Sequence, residues 1–182
     1  IIVSSDKDFY QLLDDVNVMI FDPAKKVFIT NKTVEEKYSI SPNNFVLART
    51  LAGDSSDNVP GIDGIGLKTV AKRFPQLLDS NNDILIEQLL EFCDEKVKQG
   101  SKIQVYKNVQ DGKLIVERNW KLMNLGTNSM SASQVQKLDF SIDNFQPKID
   151  KLALIKGMIT NKIVSDIDYD KLCSTMRMTL CV

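Results

Sequence analysis

Gly53-Asp54-Ser55-Ser56-Asp57-Asn58-Val59-Pro60 runs directly into Gly61-Ile62-Asp63-Gly64-Ile65-Gly66, so two carboxylates stand beside a glycine-rich turn. Asp54 and Asp57 are three residues apart; on a helical turn they share a face, where hard oxygens can hold Mg²⁺ or Mn²⁺. Three glycines between 61 and 66 exceed what an ordinary helix stop requires. Lacking a Cβ, they allow φ > 0 and a close approach of backbone N–H groups to a phosphate. Gly66 is placed to open a helix whose N-terminus favours an anion. Acids for a metal beside a turn for a phosphate point to metal-dependent hydrolysis of a nucleic-acid backbone.

Composition narrows the chemistry further. The 182 residues are 43% hydrophobic and 26% charged, enough for one full core or for one and a half small units. No apolar run is long enough to span a bilayer, and the opening Ile1-Ile2-Val3 has neither a basic leader nor an initiator Met. Three cysteines, Cys93, Cys173 and Cys181, are widely spaced and form no Cys-x-x-Cys pair; reduced thiols and a cytoplasmic location are expected. The chain has no histidine, so Ser-His nucleophiles, His-ligated zinc and imidazole bases are excluded within it, and any metal rests mainly on carboxylates. Net charge is −1, but Lys68, Lys72 and Arg73 cluster just after the glycine turn and form a local basic surface.

The class changes along the chain. Ile1 to Ser4 reads as a buried parallel strand with functional residues at its carboxyl end, followed by a short helix from Asp8 to Leu13. Strands are expected at Val18–Phe21 and Val27–Thr30 around an Asp22-Pro23 turn. From Thr33, expected to cap its helix through a Thr-x-x-Glu box, the chain turns helical. Ser41-Pro42 starts a helix with Phe45, Val46, Ala48, Leu51 and Ala52 as its apolar stripe, which delivers Asp54 to its end. Leu67–Phe74 stops near Pro75, and Asp83 is expected to cap Ile84–Val97. Further helices are expected at Ser101–Gln110, Leu114–Met123, Ser133–Leu138, Pro147–Thr160 and Tyr169–Met178. Leu152, Ile155, Met158 and Ile159 fall at helical spacing and are expected to pack against the hairpin domain. The expected architecture is an α/β remnant, residues 1–32, followed by a mostly α-helical domain, residues 33–182, with a helix-hairpin-helix at about 44–74. An opening strand with no predecessor implies an α/β sheet truncated at its N-terminus.

Asp6 and Asp8 are two apart, so if the strand persists they project from one face at its end. With Asp54 and Asp57 they make four carboxylates, a charge that two divalent cations would balance. Each pair also has a plainer reading: Asp6 as the cap of the helix that follows, Asp54 in an Asx-turn.

Several stretches resemble the 5′-nuclease superfamily of flap endonucleases, the 5′-nuclease domain of bacterial DNA polymerase I and bacteriophage RNase H. Ser4 to Leu13 looks like its strand-end segment, and Gly53 to Ala71 is similar to its acidic motif and helix-three-turn-helix. Arg118-Asn119-Trp120-Lys121-Leu122 resembles a later helix of the phage members; the T-even phage RNase H branch is nearest. The resemblance implies that Asp6, Asp8, Asp54 and Asp57 bind the second of two catalytic Mg²⁺ or Mn²⁺ ions. It also implies that acids for the first ion, and an arch admitting the 5′ strand, precede Ile1. The hairpin would hold the duplex backbone through Gly61, Ile62, Gly64, Ile65 and Gly66, assisted by Lys68, Thr69, Lys72 and Arg73. A K⁺ ion would sit among the carbonyls of Gly61, Ile62 and Ile65.

The implied activity is that of a 5′→3′ exonuclease and flap endonuclease on duplex DNA or RNA-DNA with a 5′ end or flap. A monomer is expected, with single-strand-binding or clamp proteins as replication partners. The alternative is a non-catalytic, structure-selective DNA-binding module that keeps the hairpin and uses the acids as caps.

Overall fold

The computed structural model describes residues 1–14, 16–126, 130–146 and 148–180; Pro147, the expected start of a helix, and Cys181 lie outside them. Two compact units divide the chain, Ile1–Gly126 and Thr127–Val182.

The first unit begins with a three-stranded sheet. β1 (Ile2–Val3) pairs in parallel with β2 (Ile20–Asp22), which pairs antiparallel with β3 (Val27–Ile29) in the register Ile20↔Ile29 and Asp22↔Val27. β1 is not the buried strand its composition predicts: Ile1 and Val3 are 76% and 66% exposed. It has one strand neighbour among the described residues, so only one of its edges is paired. β2 is the buried strand, with Ile20 fully enclosed and Asp22 beneath the surface. Ser5 Oγ donates to Asp22 at 2.7 Å, and Lys25 lies beside the same carboxylate, so this buried charge is paired and hydrogen-bonded.

β1 gives way to a 3₁₀ helix, Lys7–Leu12, and the helical part begins with α1 (Asn31–Tyr38). The cap of α1 is Thr30; Thr33 Oγ1 accepts from Thr30 N at 2.7 Å, taking the place expected for a glutamate. α2 (Pro42–Ala52) is buried from Asn44 to Leu51 rather than along one stripe, the mark of a helix at the centre of its unit. The 3₁₀ helix, α3 (Leu67–Arg73) and α6 (Lys113–Met123) pack around it, with α4 (Ile86–Lys98) and α5 (Gln104–Asp111) completing the layer. Tyr10, Tyr38 and Phe45 form one aromatic cluster, and Phe74, Phe92 and Tyr106 another. Asn44 is one of the polar residues buried in α2, and it is satisfied: its amide donates to Asn82 O at 2.9 Å and its carbonyl accepts from Ile84 N. Asp83 does not cap α4, which starts two residues later than expected. Asp83 instead accepts from the Asn43 amide, and Gln88 accepts from Leu85 N at the helix start.

The second unit consists of α7 (Ala132–Asp143), α8 (Lys151–Thr160) and α9 (Tyr169–Leu180), with Ser131 and Asp150 as side-chain caps of the first two. A Lys151–Asp170 ion pair of 2.6 Å links α8 to α9. Leu152 and Ile159 on α8 are 69% and 71% exposed. Cys93 and Cys173 are buried free thiols, and among the described residues no helix is long and apolar enough to cross a membrane.

Candidate functional site

Asp54 and Asp57 do not share a helical turn. α2 ends at Ala52, and the chain folds into a tight antiparallel hairpin, β4 (Gly53–Asp54) against β5 (Val59–Pro60). Gly53 has φ +73°, and a Cβ there would lie 2.2 Å from Gly61 N; a Cβ on Gly61 would lie 2.3 Å from the Ala52 carbonyl. The crossing of these two segments requires both glycines, so their task is backbone packing. Asn58 takes the left-handed conformation, φ +56°, that closes the turn.

Asp54 is buried and has both oxygens engaged. Oδ1 accepts from Ser56 N at 2.8 Å and from Ser56 Oγ, an Asx-turn, while Oδ2 accepts from Arg49. Burial alone would raise its pKa, but the Ser56 and Arg49 hydrogen bonds outweigh that and hold it at about 2. Arg49, only 5% exposed, also donates to Asp8 Oδ1 through Nη2 at 2.9 Å and through Nε at 3.2 Å. Asp8 is carried in by the 3₁₀ helix, not by strand alternation. The strand has ended at Val3, and Asp6 caps the helix by accepting from Asp8 N at 2.9 Å. Gln11 fixes this helix to the end of α6, donating to Met123 O and accepting from Leu125 N.

A cavity of about 180 Å³ opens here, lined by Ser5, Asp6, Lys7, Arg49, Asp54, Ser56 and Asp57. Three of the four expected acids thus share one wall, and Asp8 joins them through Arg49. Carboxylate and hydroxyl oxygens without histidine suit a hard dication in kind. Their placement does not yet converge on one: among the described residues no three acidic or thiol groups are gathered to hold a metal, and the guanidinium occupies Asp8 and Asp54.

Below the hairpin the expected DNA-facing residues divide into two sets. Ile62 and Ile65 are buried, and their amides bond to Leu51 O and Ile62 O, so their side chains and N–H groups serve the core. Gly64 is exposed at φ +72°, whereas Gly66 has an ordinary φ of −107° as the residue before α3. Lys68 and Lys72 are exposed on α3, with Gly61, Thr69 and Arg73 partly covered. Asn119, fully buried, donates to Thr50 O at 3.0 Å and Pro60 O at 2.9 Å, and Arg118 donates to Pro60 O. Sequence reasoning gave Arg49 and Ser56 no role and marked Asn119 only as part of a resembling helix; the available signal at Arg49 was an arginine in a run, Phe45 to Leu51, that is otherwise apolar apart from Thr50.

No family profile matches the chain. A 5′–3′ exonuclease of Buchnera aphidicola (from Schizaphis graminum) is 39% identical over 99 residues, covering 53% of this chain and 34% of that protein. The thermostable DNA polymerase I of Thermus aquaticus is 35% identical over 126 residues, covering 69% of this chain and 14% of that protein. The chain is thus similar to 5′–3′ exonucleases and to DNA polymerase I over part of their length. A 5′-nuclease structure shows the same fold: the flap endonuclease of bacteriophage T5, solved as a pseudo-enzyme–product complex with DNA and metal ions. It matches with a TM-score of 0.53 at 20% identity, over 69% of this chain and 42% of that one. The chain therefore spans about a third of the 5′–3′ exonuclease it matches and under half of the T5 5′-nuclease.

Proposed function

We propose that this chain brings metal-ligating acids and a backbone-gripping hairpin to a 5′→3′ exonuclease or flap endonuclease acting on 5′ ends or flaps. The observation that carries the reading is the shared cavity of Asp6, Asp54 and Asp57 at the head of the glycine hairpin. Those three with Asp8 would hold Mg²⁺ or Mn²⁺. Such an ion would neutralise charge at the scissile phosphate and make water a nucleophile at neutral pH. Within the chain, Ser56 orients Asp54 through two hydrogen bonds, and the cap from Asp6 fixes the start of the helix that carries Asp8. Gly64, Lys68, Thr69, Lys72 and Arg73 would hold phosphates without reading bases, so selectivity would lie in the shape of the substrate. A K⁺ ion among the Gly61, Ile62 and Ile65 carbonyls belongs to the same proposal; the Ile62 carbonyl already accepts from Ile65 N, which leaves it one further lone pair.

The test is cleavage of a 5′-flapped duplex in Mg²⁺. Asp57→Asn is expected to lower the rate on the order of a hundredfold while duplex affinity changes little, because Asp57 is exposed and touches no fold-defining group. Cleavage that survives replacement of all four acids would refute the proposal. The DNA-binding module without catalysis is favoured by one observation, the pairing of Arg49 with Asp8 and Asp54, and predicts that the four replacements leave every measured property but stability untouched.

A further inference from the structure

Among the described residues Arg49 is the one buried cation. It stands in α2, where the surrounding side chains from Phe45 to Leu51 are apolar apart from Thr50, and a guanidinium there is tolerated only if it is paired. Its partners come from two segments, one distant and one just past the end of α2: Asp8 on the 3₁₀ helix accepts from Nη2 and Nε, and Asp54 on β4 accepts from Nη2. The planar fork suits two acids approaching from different directions, which an ammonium would serve less well.

Ser56 gives Asp54 Oδ1 two donors, and Arg49 sits on Oδ2. Asp8 Oδ1 carries two donors from the same guanidinium. A divalent ion that takes Asp8 and Asp54 as ligands therefore meets a guanidinium already on the same two carboxylates, and the two positive charges compete for them. We propose that Arg49 is an internal counter-ion that holds Asp8 and Asp54 together until a divalent cation takes them, and that it thereby sets the metal affinity of the cluster. The proposal rests on the metal-binding reading above. It also accounts for why the acids, already side by side, do not converge on a cation site: their charge is balanced from within. Lys7 also faces the cavity but forms no ion pair with these acids, so the guanidinium is the competitor at their oxygens.

Mn²⁺ alone, titrated into the full chain and read by the electron paramagnetic resonance of free Mn²⁺, tests this. Arg49→Gln is expected to bind Mn²⁺ about tenfold more tightly than the natural chain, the change expected when one charge-assisted competitor is lost, with Arg49→Lys between them. In EDTA the Arg49→Gln chain is expected to melt earlier than the natural one, and Mn²⁺ to raise its melting temperature by more. Should Arg49→Gln fail to fold, the natural chain still decides: the Arg49 Nε–H resonance is expected to be protected from exchange in EDTA and to lose protection in Mg²⁺. Equal or weaker Mn²⁺ binding by folded Arg49 variants, or unchanged protection in saturating Mg²⁺, overturns the role of Arg49 alone. Absence of Mn²⁺ binding by the natural chain, or binding indifferent to Asp57→Asn, overturns the metal reading and this proposal together.

Discussion

Asp22 and Asp54 are both buried carboxylates, and each is kept ionised by named donors. Lys25, with Ser5 beside it, holds the Asp22 carboxyl well below its ordinary value of 3.8. Because the folded pKa is depressed, the stabilisation is present above pH 3.8 and is lost as pH falls through the folded value. The natural chain is therefore expected to melt higher than Asp22→Asn at neutral pH, with the gap closing as acid is added below about pH 4. A gap independent of pH would show that shape, not charge, matters at residue 22. Cys93 illustrates the opposite case: burial, with Asp94 nearby, pushes its thiol up to about 12, so it is a packing residue rather than a nucleophile.

The hairpin from Gly53 to Pro60 contributes Asp54, Ser56 and Asp57 to the cavity, and the turn after it leads into α3. Gly61→Ala inserts a methyl against the Ala52 carbonyl, where backbone cannot yield as a side chain would. It is expected to cost about 1–3 kcal/mol of stability in denaturant unfolding and to weaken duplex binding with it. Gly66→Ala meets open space at an ordinary φ and is expected to fold as the natural chain does, which separates a packing glycine from one retained for another reason. Lys68→Ala with Lys72→Ala should weaken binding equally for unrelated duplexes and flatten its dependence on log salt by up to about two contacts. A preference for particular sequences would count against a backbone grip.

Asn119 joins parts of the chain that lie far apart in sequence, tying α6 to the end of α2 and to β5, with Arg118 on the same Pro60 carbonyl. Asn119→Ala removes both donors from a buried site and is expected to cost about 1–3 kcal/mol in thermal or urea unfolding, with the hairpin loosened first. At residues 53–66 the acids and glycines were visible as residue types, and a turn at Gly64, φ +72°, was legible; the backbone-packing task of Gly53 and Gly61 was not, because it depends on two segments crossing. The helices after residue 41 were legible from periodicity and caps, to within a few residues at most ends. Helical spacing misread Asp54 and Asp57, because two tight glycine contacts bend that segment into a hairpin. Strand alternation misread Asp6 and Asp8, because the strand stops at Val3 and a 3₁₀ turn delivers them instead. The sequence alone settled which residue types were present and which chemistry they allowed. The fold settled what each was paired with: Arg49 with Asp8, and Asn119 across Thr50 and Pro60, are contacts between segments tens of residues apart, and no local pattern encodes a partner that folding alone brings near.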